Sequence, residues 1–258
     1  MTDDLIIGER KFKSRLILGT GRHRTNDQMV SSIEASGADM VTVAIRRLDL
    51  DSPDKKNILD YIDWTKYLLL PNTAGAKTYE DAVFIAHLAR EMGLPNWVKV
   101  EVIPDSTYLL PDPIGTLRAA EILVKDGFVV LPYIHADPVL AKQLEEIGCA
   151  AVMPLGSAIG SGQGIHTLEE IDIIIEQSKV PVIVDAGLGV PSDAAIAMEH
   201  GADAVLVNTG VAQAQDPNLM ALAFKLGVSA GRKAYRAGRI GKKLYAVPSS
   251  PLEGIVGT

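Results

Sequence analysis

A chain of 258 residues is long enough for two ordinary domains or for one α/β barrel, a fold that commonly takes about 250. A hydrophobic fraction of 47% with 22% charged residues excludes disorder, and the net charge of -7 gives nucleic acid or an anionic membrane surface no electrostatic attraction, so neither is expected as a partner. One cysteine, Cys149, cannot form an intramolecular disulfide; "MTDDLIIGERKF" has no basic segment leading into an apolar one, and no apolar run nears the roughly 20 residues that span a bilayer, so the cytoplasm is the expected location.

Eight short apolar runs follow one another: "RLILGTG" (15 to 21), "MVTVAI" (40 to 45), "YLLLPNT" (67 to 73), "WVKVEVI" (97 to 103), "FVVLPYI" (128 to 134), "AAVMPLG" (150 to 156), "VPVIVDAG" (180 to 187) and "AVLVNTG" (204 to 210). Most are apolar on both faces, as parallel strands covered by helices are. Helix signals fill the gaps. Asp or Ser before Pro opens "SPDKKNILDYI", "DPIGTLRAAEILVKDG", "DPVLAKQLEEIG" and "DPNLMALAFKLG", Thr78 precedes "YEDAVFIAHLAREMG", and Thr167 with Glu170 has capping-box spacing. Gly37, Gly93, Gly127, Gly148 and Gly201 stand where five helices end before a strand.

Strand starts lie 22 to 31 residues apart, the length of one βα unit, which predicts a single (β/α)8 TIM barrel over 1–258 with a short C-terminal tail from about 242. An open doubly wound sheet competes with it, but "GTGRHR" after the first strand lacks the third glycine of a dinucleotide site. No linker or composition shift divides the chain.

Barrel chemistry sits at the C-terminal strand ends, and these are polar here: Thr20, Arg46 and Arg47, Asn72 and Thr73, Lys99 and Glu101, His135, Ser157, Asp185, Asn208 and Thr209. If Val98, Val100 and Val102 face the helices, Lys99 and Glu101 point into the barrel. They are then either a structural ion pair or an amine nucleophile beside a proton carrier: desolvation favours the neutral amine, while a nearby carboxylate favours the ammonium. Asp185 is a second inward carboxylate, either a loop cap or a partner to Glu101 in acid and base work. Glycine-rich "PLGSAIGSGQGI", with "DAGLGVPSD" and "NTGVAQ", suits a phosphate held by backbone N–H groups. Arg46 and Arg47 could position an anion or simply cover the rim. The five histidines show no ligand spacing, so no metal is expected, and Cys149 reads as packing.

"KVEVI", "LLPNTAGA", "LLPDP", "GSGQGI", "VPVIVDAGLGVPSDAA", "GADAVLVNT" and "SSPLEG" together resemble the thiazole synthases of thiamine biosynthesis over nearly the whole chain. The resemblance implies a (β/α)8 enzyme, without a cofactor, acting on 1-deoxy-D-xylulose 5-phosphate through an imine on Lys99. It implies sulfur from a carrier protein with a C-terminal thiocarboxylate, dehydroglycine from a separate enzyme, and a homo-oligomer, commonly a tetramer. It puts Glu101 and Asp185 in acid and base roles and substrate contacts at Gly160, Ala186, Gly187, Asn208 and Thr209. "VIPDSTYLLPDP" departs from relatives at Pro104 and Asp105, which affects the loop after the fourth strand.

Overall fold

The computed structural model describes residues 3–47 and 56–249. A short antiparallel hairpin that the sequence pattern does not announce comes first, β1 (Leu5–Ile7) with β2 (Arg10–Phe12). The eight apolar runs then supply β3 (Leu16–Gly19), β4 (Met40–Ala44), β5 (Leu68–Asn72), β6 (Trp97–Val100), β7 (Val129–Ile134), β8 (Met153–Pro154), β9 (Ile183–Asp185) and β10 (Ala204–Val207). All pair in parallel in the order β8-β7-β6-β5-β4-β3-β10-β9. Bridges Val152↔Val182 and Leu155↔Asp185 join the two ends, so the sheet closes into the expected (β/α)8 barrel.

Eight helices are described: α1 (Asn26–Ser36), α2 (Tyr79–Glu91), α3 (Pro113–Lys125), α4 (Pro138–Glu146), α5 (Leu168–Gln177), α6 (Pro191–Glu199), the short α7 (Thr209–Ala212) and α8 (Pro217–Ala237). Their starts follow local chemistry. Asp112, Asp137 and Asp216 each accept a first-turn N–H ahead of a proline, and Thr78 and Asp81 exchange hydrogen bonds as a capping box. The five expected glycines all adopt positive φ at helix ends.

Two helix starts differ from expectation. Thr167 forms no capping box with Glu170, because its Oγ1 donates to the Leu155 carbonyl at 2.6 Å and ties α5 to the end of β8 instead. The helix expected from Ser52 falls partly on residues 48–55, outside the described residues; its described part is only a 3-10 turn, Ile58–Tyr61, held where Asn57 N–H donates to Asp60. Residues 238–249 carry no helix or strand and are exposed, and the rest of the tail, 250–258, lies outside the described residues.

Strand alternation produces two apolar cores. Val98, Val100, Val130, Val182 and Val184 pack outward against the helices, while Ile17, Met40, Leu70, Leu131, Met153, Ile183 and Leu206 fill the barrel interior. Leu5, Ile7 and Phe12 of the hairpin join that interior cluster and close the N-terminal end. No helix among the described residues is long and apolar enough to cross a membrane.

Candidate active site

Above the apolar layer the inward positions turn polar. β6 places Lys99 inward and the chain beyond it places Glu101 on the same side, two residues further up, as the alternation predicts. Glu101 is fixed by its backbone: its N–H donates to Thr73 Oγ1 at 2.8 Å, and Thr73 Oγ1 donates to the Glu101 carbonyl at 2.8 Å. Asp185, at the end of β9, enters from across the barrel.

The three charges meet. Lys99 Nζ lies 2.5 Å from Asp185 Oδ2 and 3.0 Å from Glu101 Oε1, with all three residues no more than 6% exposed. Asp185 Oδ2 meets no hydrogen-bond geometry, so this contact is a charge pairing, not an aligned bond. Below the amine lies the Tyr133 ring, its centroid 5.4 Å from Nζ, and the Tyr133 hydroxyl is buried with no partner.

Electrostatics bears on the resting charge of Lys99. Burial works against its charge, but Asp185 and Glu101 outweigh burial and hold its pKa above the usual lysine value. The lysine therefore rests as an ammonium, and desolvation alone does not free the amine. Burial, with the negative charge of Glu101 beside it, lifts Asp185 above the usual carboxylate range despite Lys99. Burial, Asp185 and Glu101 together push the Tyr133 phenol up.

This triad forms the floor of a cavity of about 540 Å³. The residues that the resemblance assigns to the site all line it: Lys99, Glu101, Asp185, Gly160, Ala186, Gly187, Asn208 and Thr209. Asn72 joins them and donates from Nδ2 to Thr42 Oγ1 at 2.9 Å. Arg46, His135 and Ser157 do not line it. Arg46 Nη1 instead donates to the Gly75 carbonyl at 2.6 Å, across the rim. Cys149 is buried in the outer core, where burial pushes its thiol up to about 12, a packing role as expected.

The wall opposite β6 depends on unusual backbone. Ala186 adopts φ 68, rare for a residue with a side chain, and Gly187 follows with φ 78. A Cβ on Gly187 would sit 1.9 Å from Ser157 Oγ, so the loops after β8 and β9 approach closely only because none is there. The backbone N–H groups of Gly160 and Gly187 donate to no described residue, and Asn208 Oδ1 is buried without a partner. These groups can receive an anion and a hydroxyl. Sequence reasoning missed Thr42 and Tyr133, although alternation along "VVLPYI" puts Tyr133 on the inward face.

Residues 6–251 match the family model described as thiazole biosynthesis protein ThiG. The thiazole synthase of Geobacter metallireducens is 59% identical over 254 residues, covering 98% of each chain. That of Acaryochloris marina is 58% identical over 259 residues, covering 98% of this chain and 94% of its own. A chain from the crystal structure of the Amycolatopsis orientalis BexX/CysO complex shares the fold at a TM-score of 0.83 and 32% identity, covering 93% of this chain and 98% of that one. By this match of nearly its whole length, the chain belongs to the thiazole synthase family of thiamine biosynthesis.

Proposed function

We propose that the protein makes a thiazole phosphate carboxylate from 1-deoxy-D-xylulose 5-phosphate, dehydroglycine and carrier-bound sulfur, with the sugar held as an imine on Lys99. The observation that carries this reading is Lys99 within reach of two buried carboxylates at the floor of the cavity. A structural ion pair needs one carboxylate, and the second gives the amine somewhere to leave its proton. Glycine loops with free N–H groups opposite the lysine support a phosphate at the other end of the sugar.

Proton accounting orders the steps. Lys99 passes a proton to Asp185, whose affinity for protons burial has raised, and the neutral amine attacks the ketone carbon. Asp185 returns that proton to the carbinolamine hydroxyl, which leaves as water, and the imine remains. Glu101, 3.0 Å from the Lys99 amine, takes a proton from the adjacent carbon and returns it to the former ketone carbon, and this tautomerisation moves the carbonyl to the adjacent carbon. Sulfur then enters from a protein thiocarboxylate, dehydroglycine supplies nitrogen and carbon, and the ring closes. That a chain of this fold occurs in a BexX/CysO complex supports a second protein as partner. The active form is a homo-oligomer, a tetramer, in the cytoplasm, without metal or other cofactor.

Borohydride trapping with the sugar phosphate tests the imine. A stable mass increase on the peptide carrying Lys99 is expected; trapping that yields no adduct there overturns the mechanism while leaving family membership intact.

A further inference from the structure

A second cavity, of about 410 Å³, lies at the opposite end of the barrel, between the start of β3, the end of α1 and the last turns of α8. Its lining holds six cationic side chains, Lys13, Arg15, Lys225, Arg232, Lys233 and Arg236, against the single carboxylate of Asp3. In a chain of net charge -7 such a local surplus is out of keeping with the rest of the molecule. The favourable field at the C-terminus of α8 accounts for Arg236 in its last turn. It does not account for Lys13, Arg15 or Lys225, which come from other elements or lie three turns back.

The cleft is graded from floor to rim. Arg15 is 8% exposed and anchored, its Nη1 donating to the Asp203 carbonyl at 2.6 Å and its Nη2 to Asp3 Oδ1 at 3.1 Å. Arg232 donates to Asp3 at 2.8 Å and Arg236 approaches the same carboxylate at 3.6 Å. Three guanidinium groups thus already surround one anionic group, and they lower its pKa. Beside the cleft, Asp203 Oδ1 lies 3.9 Å from Arg15 Nη1 and Asp39 accepts the backbone N–H groups of Lys13 and Ser14, so the six cations still outnumber the three carboxylates near them. Lys13, Lys225 and Lys233 have no ion-pair partner among the described residues.

We infer that this cleft is a second anion site, which takes a small molecule carrying linked phosphates. One phosphate would leave most of the surplus uncompensated, whereas a diphosphate or triphosphate brings several negative charges within the span of a few side chains. Arg15 and Arg232 preform the floor, and the three lysines close over the phosphates. The source is either an inorganic oligophosphate or a phosphorylated nucleoside, and the two are separated by experiment.

Calorimetric titration of the whole protein with inorganic triphosphate, adenosine triphosphate and inorganic phosphate tests this. One saturable site per chain is expected for the first two, inorganic phosphate binding far more weakly; a stronger response to the nucleotide marks a nucleoside subsite. The K225E/K233E double variant should weaken binding by about tenfold or more, the effect of losing two charge-assisted contacts. Hydrogen exchange on the unaltered protein decides independently of that variant's folding: triphosphate should protect residues 13–16 and 225–236. The inference is overturned by the absence of saturable binding, by protection confined to 156–164 and 186–189, or by unchanged affinity in the double variant. A double variant that keeps its fold but changes oligomer size overturns it too, since this face would then be a contact between copies.

Discussion

The two ends of the barrel interior are built from the same strands and do opposite things. Leu70 is followed on the inward face of β5 by Asn72, Leu131 by Tyr133 on β7, Ile183 by Asp185 on β9, and Leu206 of β10 by Asn208. One step of two residues along each of these four strands converts an apolar plug into a polar floor. The lower layer buries hydrocarbon and holds the fold; the upper layer buries charge, which costs stability unless paired. Under the proposed function, stability and chemistry are thus separated by height in a single closed sheet.

The sharpest way to break that separation is at Lys99. Lys99→Arg keeps a cation between Glu101 and Asp185 but cannot form the imine, so turnover should fall on the order of 10³-fold or more with the fold kept. Lys99→Ala should lose turnover equally and also leave two buried carboxylates without a cation, destabilising by about 3–5 kcal/mol. Steady-state rates beside urea midpoints distinguish the two effects. Wild-type turnover in either variant would remove Lys99 from the chemistry.

Leu131→Ala applies the same test to the lower layer. Its side chain is fully buried, so truncation should cost about 2–5 kcal/mol in denaturant unfolding while kcat stays close to wild type at moderate temperature. A large fall in kcat at full occupancy of the fold would mean the plug positions the floor directly. Gly187→Ala should act the other way: the added Cβ meets Ser157 Oγ and a positive φ, so the loops must separate and KM for the sugar phosphate should rise by about tenfold, with a smaller change in kcat.

Two carboxylates at the two ends titrate in opposite senses. Hydrogen bonding to Arg232 and the charges of Arg15 and Arg236 lower Asp3, so its contribution to stability is present above its ordinary value of 3.8 and is lost as pH falls through the lower folded value. Burial raises Asp185, so its contribution is full below 3.8 and is lost as pH rises through the higher folded value. At neutral pH Asp3→Asn should therefore destabilise, and Asp185→Asn should destabilise less than Lys99→Ala, because the burial that raises Asp185 offsets part of what its pairing with Lys99 contributes and Glu101 still pairs the ammonium, while only Asp185→Asn of the two loses turnover. Urea midpoints measured from about pH 2 to about pH 8, which spans the ordinary carboxylate values near 4 and the shifted values on either side of them, check the two signs. A loss of stability in Asp185→Asn as large as that in Lys99→Ala would show that Asp185 serves the fold.

Most of this layout is legible in the amino-acid order, because a barrel writes itself as repeated apolar runs with polar ends and each glycine before a strand marks a helix end. The inward direction of Lys99 and Glu101 follows from three flanking valines alone. The hairpin over the lower end is not legible: three-residue strands are too short to show a period, and their burial depends on the barrel they close. Nor does spacing reveal that Asp185 reaches the same amine as Glu101, because residues 86 positions apart meet only through closure of the sheet. The protonation state of Lys99 follows from that meeting and so is equally invisible in the sequence. Thr167 escapes its expected capping role for a related reason, since a carbonyl at the end of β8 competes for its hydroxyl.

Tyr133 separates packing from chemistry within the upper layer itself. Its ring lies under the Lys99 amine, where the π face favours a cation, and the iminium proposed for the same nitrogen is also a cation. Its side chain packs with Ile103 and Leu155 and its hydroxyl is buried with no partner, so that group costs stability in the protein as it stands. Tyr133→Phe keeps the ring and should therefore be neutral or stabilising by about 1 kcal/mol, with kcat within a few-fold of wild type. Tyr133→Leu removes the π face, withdraws support from both cations, and should slow formation of the borohydride-trappable imine more than the Phe variant does. Equal trapping rates in Phe and Leu variants would assign the ring to packing alone; a severe loss in Phe would instead make the hydroxyl a proton carrier beside Asp185 and Glu101.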